Sequence, residues 1–238
     1  MERKVVVTGM GVISPVGNDV ETFWNNIING VNGIGPITRF DTTDYAVKIG
    51  AEVKDFDPSQ YMEKGDVRRS DYNVQLAVAA ATQAFEDSGI EGKFDPERSA
   101  VYFGSGIGGI ETFENTFEKL LEKGPRFVSP YFIPMMIANM AAGTIAIRYG
   151  MQGPALPAVS ACASGTNAIG EALRLVRHGY ADVVITGVTE AAITRSSVAG
   201  FVKMQALNLT DDVNRASLPF NKERGGFVIG EGAGALVI

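Results

Sequence analysis

The chain has 238 residues, 45% of them apolar and 20% charged, and its formal net charge at pH 7 is −6. This composition is typical of a folded globular protein, and the acidic balance argues against bulk nucleic-acid binding. No apolar stretch reaches the ~20 residues that span a bilayer, and the N-terminal apolar run is too short for a signal peptide. Cysteine and histidine each occur once. Metal-ligand spacings are therefore absent, and we predict neither a metal nor another cofactor.

Strand-like and helix-like stretches alternate along the chain, which predicts an α/β fold. The first part predicts a strand at 4–8, a helix from 18 or 19 to about 29, a strand at 47–53, and a long helix from Ser70 or Asp71. The apolar face of that long helix carries Val74, Leu76, Ala77, Ala80, Ala84 and Phe85. We expect this face to lie in the core.

In the next part of the chain, a glycine-rich loop follows an apolar strand. A buried strand at 100–103 leads into the loop 104–109, and a helix is expected at 111–123. Beyond it the pattern predicts, in order, an apolar helical segment at 132–149, a strand leading to Cys162, a helix at 166–178, and strands at 183–186, 227–229 and 233–238. The chain shows no internal repeat and no long linker. Residues 1–238 are therefore predicted to form a single α/β domain.

Cys162 is the only cysteine, so the chain has no internal disulfide, which suits a reducing cytoplasm. It lies where a strand-like run gives way to a helix. Backbone N–H groups without intrahelical partners, and the positive end of the helix dipole, would lie near the sulfur. Such a setting favours the thiolate and could bind an oxyanion. A buried, inert cysteine is the alternative, and the position alone does not separate the two.

The loop 104–109 has the sequence Gly-Ser-Gly-Ile-Gly-Gly. Its glycines fit Gly-x-Gly-x-x-Gly between a strand and a helix, a spacing typical of dinucleotide-binding proteins. Such a site also needs a second strand that ends in an acidic residue about 20 positions further on. The chain instead continues through Lys-Gly-Pro-Arg at 123–126 into a proline-containing segment. We therefore predict no nucleotide site and expect the loop to shape a substrate pocket.

Five ordered blocks together resemble the β-ketoacyl-acyl-carrier-protein synthases, in their type II elongating form. The nucleophile block is Val-Ser-Ala-Cys-Ala-Ser-Gly-Thr-Asn-Ala-Ile-Gly at 159–170, and the others lie at 6–17, 104–109, 129–134 and 219–232. A cysteine hydrolase would need glycines on both sides of the nucleophile, where this chain has Ser160 and Ser164. Thiolases share the fold, but their blocks differ from these five.

The resemblance implies a thiolase-like fold, in which two similar α/β halves stack as five layers (αβαβα). It also implies a decarboxylating Claisen condensation, with an acyl carrier protein and acyl and malonyl thioesters as partners. Cys162 would take the acyl chain as a thioester, and its backbone N–H would contribute to an oxyanion hole. Ile107 and Phe132 would line the acyl pocket, with Phe132 offered across the interface of a homodimer. Phe201 and Phe227 would be substrate-binding aromatic residues close to the nucleophile.

The resemblance covers only the N-terminal half of that family. The missing C-terminal half would carry two catalytic histidines, a lysine and a second glycine-rich loop. His178 is expected at a helix C-terminus, roughly 24 Å from Cys162 at ~1.5 Å per residue, and is therefore not the base. The apolar run that ends at Ile238, and a small-faced helix after Cys162, favour a chain that is incomplete for catalysis. A non-catalytic folding or assembly module is the alternative.

Several basic residues could form a docking patch for an acidic carrier protein, namely Lys64, Arg68, Arg69, Arg126 and Lys203, with Lys119 and Lys123 as further basic points. A solvated mixed surface is the alternative for each of them. The methionine- and alanine-rich stretch at 135–142 is compatible with core packing or with a dimer surface that borders a lipid-like pocket.

Overall fold

A five-stranded mixed sheet organises the residues that the computed structural model describes, which are 3–238. Its strands are β1 (Gly9–Ile13), β4 (Ser99–Gly104), β5 (Ala155–Leu156), β6 (Val183–Ala191) and β7 (Glu231–Val237), in the spatial order β1-β7-β6-β4-β5. β4 pairs in parallel with β5 and β6, whereas β7 is antiparallel to β6 and β1. A separate antiparallel ribbon joins β2 (Gly35–Pro36) to β3 (Ile49–Gly50).

Helices lie on both faces of this sheet. They are α1 (Val20–Ile28), α2 (Lys64–Val67), α3 (Tyr72–Ser88), α4 (Ile110–Lys123), α5 (Phe132–Met136), α6 (Met140–Tyr149), α7 (Ser164–Arg177) and α8 (Arg195–Lys203). Across residues 3–238, no helix combines the length and apolar character needed to cross a membrane. The alternation of helices and strands confirms the predicted α/β class.

Helix α3 packs on one face of the sheet, and its predicted apolar face is confirmed, since its members from Val74 to Phe85 are all buried. Its alanines allow a close approach to β1. A Cβ on Gly11 would lie only 2.0 Å from the Ala80 carbonyl oxygen. Asp71 caps the start of the helix, and Gly89, in the left-handed region at φ +60°, ends it. The small residues of both elements therefore determine how closely helix and sheet pack.

The other face of the sheet is only partly covered. Helix α7 packs over β4 and β6 through Ala168, Ala172 and Val176, which are buried. Beside it, an apolar groove is lined by β1, β7 and the exposed side of α7, including Met10, Leu236 and Ile169. Met10 is 48% exposed. The helix after Cys162 therefore has one side covered by its own sheet and borders an open apolar surface on the other.

Some predicted boundaries are wrong. The first strand is 9–13 rather than 4–8, because the glycines of β1 are the residues that fit against α3, whereas Val6 and Val7 are more than half exposed. The strand expected at 47–53 shortens to Ile49–Gly50, and 227–229 contributes only an isolated bridge between Phe227 and Leu207. Helix α8, which Thr194 caps through the Ser197 N–H, was not predicted.

The apolar segment at 132–149 is two helices rather than one. Helix α5 ends before Ile137, whose backbone is extended, and α6 begins at Met140. The glycine loop approaches this break, since the Gly109 N–H donates to the Met136 carbonyl at 3.0 Å. A Cβ on Gly108 would lie 3.1 Å from the Cα of Ala138. The break therefore leaves room for the loop.

Candidate active site around Cys162

Cys162 lies in a single 3₁₀ turn, Ala161–Ala163, directly before α7. Its side chain is exposed, so the alternative of a buried, inert cysteine is wrong. Ala161 has φ +52°, a left-handed conformation that is uncommon for a residue with a Cβ. Helix α7 has no side-chain N-cap, so the positive end of its dipole faces the turn. A strained bend thus places the thiol at the start of a helix, as the sequence predicts. The strand predicted to lead to Cys162 is wrong, since β5 is only Ala155–Leu156 and ends before the turn.

Two polar side chains from α7 hold this turn. The Ser164 hydroxyl accepts from the Ser160 N–H at 3.0 Å and donates to the Ala161 carbonyl at 2.7 Å. Asn167 donates from Nδ2 to the Ser160 hydroxyl at 2.6 Å. Ser164 is 1% exposed, so its hydrogen bonds are sheltered from water. The serine that replaces a hydrolase-type glycine therefore stabilises the turn of Cys162.

The glycine loop 104–109 runs beside the nucleophile turn. A Cβ on Gly104 would lie 2.9 Å from the Ser164 side chain, and one on Gly106 would lie 3.9 Å from the Cα of Ala161. At Gly104 the absence of a side chain permits close contact of two backbone segments, and at Gly106 it leaves room for the Glu190 carboxylate, whose Oε2 would lie 2.6 Å from a Cβ. The loop and the turn therefore form one wall, and Ile107, which is 42% exposed, lies on it.

The loop 104–109 donates hydrogen bonds to a carboxylate from another part of the chain. Glu190, near the end of β6, accepts from the backbone N–H groups of Gly106 at 2.7 Å and Ile107 at 3.2 Å. The Ser105 hydroxyl donates to its other oxygen at 3.3 Å. The amides of Gly106 and Ile107, which would cradle a phosphate in a nucleotide-binding loop, therefore donate to a side chain of the protein.

Sequence reasoning missed Glu190. The strand was expected to end at 186, whereas β6 continues to Ala191. Since β4 and β6 are parallel, the loop after β4 and the last residues of β6 meet at one edge of the sheet. Burial raises the pKa of Glu190, and the hydrogen bonds from Gly106 and Ile107 oppose that increase.

The four residues predicted to bind the substrate lie in two groups. Ile107 is on the glycine loop, and Phe132 begins α5, the helix to which that loop is bonded. Phe201 and Phe227 contact each other, with ring centroids 5.4 Å apart at 80°. Phe227 is 44% exposed. Their role in binding a substrate stays a prediction.

An exposed aromatic stripe on α4 was also missed. Phe113 and Phe117 stack with ring centroids 6.0 Å apart, and Phe113 lies 6.4 Å from the ring of Phe132. Leu121, one turn further on, is 72% exposed. The spacing i, i+4, i+8 in the sequence is the signal that identifies such a stripe.

The predicted docking residues are distributed over several elements. Lys64 lies in α2 and Arg68 caps its C-terminus. The Arg69 guanidinium carbon lies 5.2 Å from the ring centroid of Tyr131, just before α5. Arg148, which was not predicted, lines one surface depression with Arg69 and another with Lys64. Arg126 lies in the turn Pro125–Phe127.

The remaining basic residues lie elsewhere on the chain. Lys203 ends α8, and Lys119 and Lys123 are on α4. His178 caps the C-terminus of α7, before Gly179 at φ +79°, as predicted. The only histidine is thus at the opposite end of α7 from Cys162, which supports the prediction that it is not the base.

An exposed cysteine in a strained turn, at the start of a helix that covers part of a mixed sheet, defines a thiolase-like α/β protein with a candidate cysteine nucleophile. The chain belongs to the β-ketoacyl synthase family, because residues 2–238 match the family model described as "Beta-ketoacyl synthase, N-terminal domain". The resemblance seen in the five sequence blocks is therefore confirmed.

Relatives and solved structures agree with this assignment. The 3-oxoacyl-[acyl-carrier-protein] synthase 2 of Staphylococcus aureus (strain COL) is 49% identical over 237 residues, which are 99% of this chain and 57% of that protein. The chain thus spans little more than half the length of the curated relatives it matches. The ishigamide ketosynthase/chain length factor has a TM-score of 0.91 and 33% identity over 100% of this chain and 58% of its own. A type II PKS ketosynthase in complex with its acyl-carrier protein, bound to the hexaketide, has a TM-score of 0.87 and 27% identity over 100% and 58%.

Proposed function

We propose that this chain is the acyl-accepting part of a 3-oxoacyl-[acyl-carrier-protein] synthase of fatty acid elongation. The observation that carries the proposal is the exposed Cys162 in a turn held by Ser164 and Asn167, within the matched family region. The Cys162 sulfur attacks the carbonyl carbon of an acyl-carrier thioester. A new carbon–sulfur bond forms at Cys162, the bond to the carrier sulfur breaks, and the carrier leaves as a thiol. Backbone N–H groups at the start of α7 stabilise the oxyanion of this step.

The second step is condensation. Malonyl-carrier protein loses carbon dioxide, and the resulting carbanion attacks the acyl carbonyl on Cys162, so that a carbon–carbon bond forms and the sulfur leaves. The resemblance assigns the histidines of this step to the family's C-terminal half, and His178 is at the far end of α7. We therefore infer that residues 1–238 form a single α/β half that accepts an acyl group but does not condense it alone. The open apolar face of β1 and β7 is the surface on which the second half would pack.

The acyl chain would lie along the wall that carries Ile107 and Phe132, with Phe201 and Phe227 near the nucleophile. Phe132 and the exposed stripe on α4 form a continuous aromatic surface through Phe113. A surface of this kind is suited to a homodimer interface that also borders a pocket. A reactive, exposed thiol also needs reducing surroundings, so we infer a cytoplasmic location.

The carrier protein would dock on the basic residues Lys64, Arg68, Arg69, Arg126 and Arg148. Arg148 shares one surface depression with Arg69, which packs on Tyr131, and another with Lys64. Lys203 also belongs to the predicted patch, but it lies on a different element, α8. The similar type II PKS ketosynthase was solved with its acyl-carrier protein, which supports a carrier as the partner here.

Mass spectrometry of the 238-residue chain tests the proposal. The chain is incubated with an acyl-carrier thioester, and then with malonyl-carrier protein, beside a Cys162→Ala control. We expect one acyl adduct on Cys162, no adduct in the control, and no 3-oxoacyl product. Absence of the adduct would refute the acyl-accepting role and favour a non-catalytic module. Formation of the 3-oxoacyl product would refute the need for a second half.

A further inference from the structure

We propose that Glu190 is a positioning residue of the acyl-accepting site. Its carboxylate holds the backbone of Gly106 and Ile107 beside Cys162 and thereby sets how the site discriminates long acyl groups from short ones. This inference rests on the function proposed for Cys162, because it concerns the same site. Nothing in the sequence blocks assigns a role to Glu190.

The contacts show that Glu190 anchors one side of the loop. Its Oε2 accepts from Gly106 at 2.7 Å and Ile107 at 3.2 Å, and its Oε1 accepts from the Ser105 hydroxyl at 3.3 Å. That hydroxyl also accepts from the Gly108 N–H at 2.9 Å and the Asn73 side chain at 3.3 Å. Hydrogen bonds to an ionised acceptor are stronger than neutral ones. Glu190 therefore fixes the part of the loop that faces the nucleophile turn.

The opposite side of the loop has a separate anchor. The Gly109 N–H donates to the Met136 carbonyl, at the end of the helix that begins with Phe132. Loss of the carboxylate would thus free Gly106 and Ile107 while Gly109 stays attached. The side chain of Ile107 would then shift relative to Cys162, without a change in the turn that holds the sulfur. A small reagent would not detect this shift, whereas a long acyl chain that contacts Ile107 would.

Glu52 provides a matched control. Its carboxylate also accepts from two consecutive backbone N–H groups, those of Thr38 at 2.8 Å and Arg39 at 3.1 Å, and from the Thr38 hydroxyl at 2.7 Å. It makes the same kind of contact in a segment that does not include the glycine loop. If only Glu190→Ala has an effect, the effect comes from loss of the carboxylate that holds the glycine loop. If Glu52→Ala has the same effect, it comes from loss of any carboxylate that binds backbone amides.

The experiment measures three quantities in the full 238-residue chain. They are amide hydrogen exchange in the peptide that contains 104–109, the alkylation rate of Cys162 by iodoacetamide, and the ratio of acylation rates with long and short acyl-carrier thioesters. For Glu190→Ala we expect exchange of the Gly106 and Ile107 amides to rise about tenfold and the long-to-short ratio to change by a similar factor. Alkylation by iodoacetamide should stay at the wild-type rate.

Two further variants keep the test decisive if Glu190→Ala folds poorly. Glu190→Gln retains an oxygen acceptor and should have a smaller effect in the same direction. Ser105→Ala leaves the carboxylate in place and removes its hydroxyl donor, together with the acceptor of the Gly108 N–H and the Asn73 side chain. Formate should partly restore slow exchange at 104–109 in Glu190→Ala, because it supplies a carboxylate to the vacated amides, and should leave exchange at 104–109 unchanged in Glu52→Ala. Rescue of this kind supports positioning rather than general stability.

The outcomes separate the two proposals. Unchanged exchange at 104–109 in Glu190→Ala, or rates that fall equally for long and short acyl groups, would overturn the role of Glu190. If wild-type Cys162 accepts no acyl group, the proposed function fails. Exchange and formate rescue then still support or overturn the anchoring of the loop by Glu190.

Discussion

Asp71 and Thr112 join two helices through one carboxylate. Oδ1 of Asp71 accepts from the Asn73 N–H at 3.0 Å and caps α3, while Oδ2 accepts from the Thr112 N–H at 3.0 Å and its hydroxyl at 2.6 Å. Helix α4 has no side-chain cap of its own. The start of α4, just after the glycine loop, is thus fixed by a residue of α3.

Replacement of Asp71 by alanine should therefore lower the free energy of unfolding by about 2–3 kcal/mol, because both helix caps are lost at a buried position. Urea unfolding followed by circular dichroism measures this change. Thr112→Val, which keeps the backbone contact and removes only the hydroxyl, should cost about 1 kcal/mol. Equal losses in the two variants would contradict the double cap.

The Ser164 hydroxyl should be needed for rapid acylation of Cys162. Ser164→Ala deletes both hydrogen bonds of its hydroxyl in the nucleophile turn, so the rate of Cys162 acylation should fall about tenfold. Intact-mass spectrometry against time gives the rate. Thr166→Ala, an exposed change two residues further along α7, is the control and should leave the rate unaltered. A normal rate in Ser164→Ala would mean that the turn does not need this hydroxyl.

Charge reversal tests the docking patch. Arg68→Glu together with Arg126→Glu should weaken carrier binding by about tenfold or more at low salt, and less at high salt, because exposed charges are screened. Surface plasmon resonance at two ionic strengths measures this effect. Reversal of Arg174 and Arg177, at the C-terminal end of α7, makes the same change in net charge and serves as the control. Equal weakening in both double variants would point to net charge rather than a patch.

Asp182 should make the free energy of unfolding depend on pH in the acid range. Hydrogen bonds from Arg98, at 2.5 and 2.9 Å, and from Arg3, at 2.5 Å, hold the pKa of this carboxyl well below its usual range. A lowered folded-state pKa gives stability that is present above the unfolded pKa near 3.9 and is lost as the pH falls through the folded value.

In Asp182→Asn the free energy of unfolding should therefore change less steeply with pH below about pH 4. At pH 7 this variant should lose less than about 1 kcal/mol of that free energy, since the ion pairs are exposed. Thermal unfolding between pH 3 and 7 measures both effects. Asp87→Asn, whose carboxylate accepts from the Met10 N–H, is a control without an arginine partner. An unchanged slope in Asp182→Asn would show that these ion pairs are not maintained in solution.

Gly11→Ala tests the close packing of β1 on α3. The new Cβ would lie 2.0 Å from the Ala80 carbonyl and 2.8 Å from the Gln83 Cβ, so the strand or the helix must move, at a cost of about 1–3 kcal/mol. Gly234, on the neighbouring strand β7, has open space around its Cβ position, and Gly234→Ala should be close to neutral. Chemical unfolding of both variants measures the difference. Equal free energies of unfolding in the two variants would contradict the close approach of β1 to α3.

Local signals were enough to predict some elements and not others. The buried face of α3 and the helix that follows Cys162 depend on neighbours in sequence and were predicted, and Asp71 was one of the two residues expected to open α3. The end of β6 was missed because the strand continues through Gly187, which is not a typical strand residue, and its last residues, 189–191, pair only with β7. The register of β1 depends on α3, and the partner of the glycine loop depends on parallel β4 and β6. Such long-range contacts leave little trace in a local pattern.

The pairing of β1 with β7 has a consequence for synthesis. The Thr8 hydroxyl donates to the Val237 carbonyl across 229 residues, and β7 lies between β1 and β6 in the sheet. A strand that is translated after both of its neighbours therefore fills an interior position between β6, which precedes it closely in the sequence, and β1, which precedes it by most of the chain. Until it arrives, β1 and β6 each have an unpaired edge, and closing so large a loop is slow. A nascent chain in this state would be a natural target for chaperones that bind exposed strand edges.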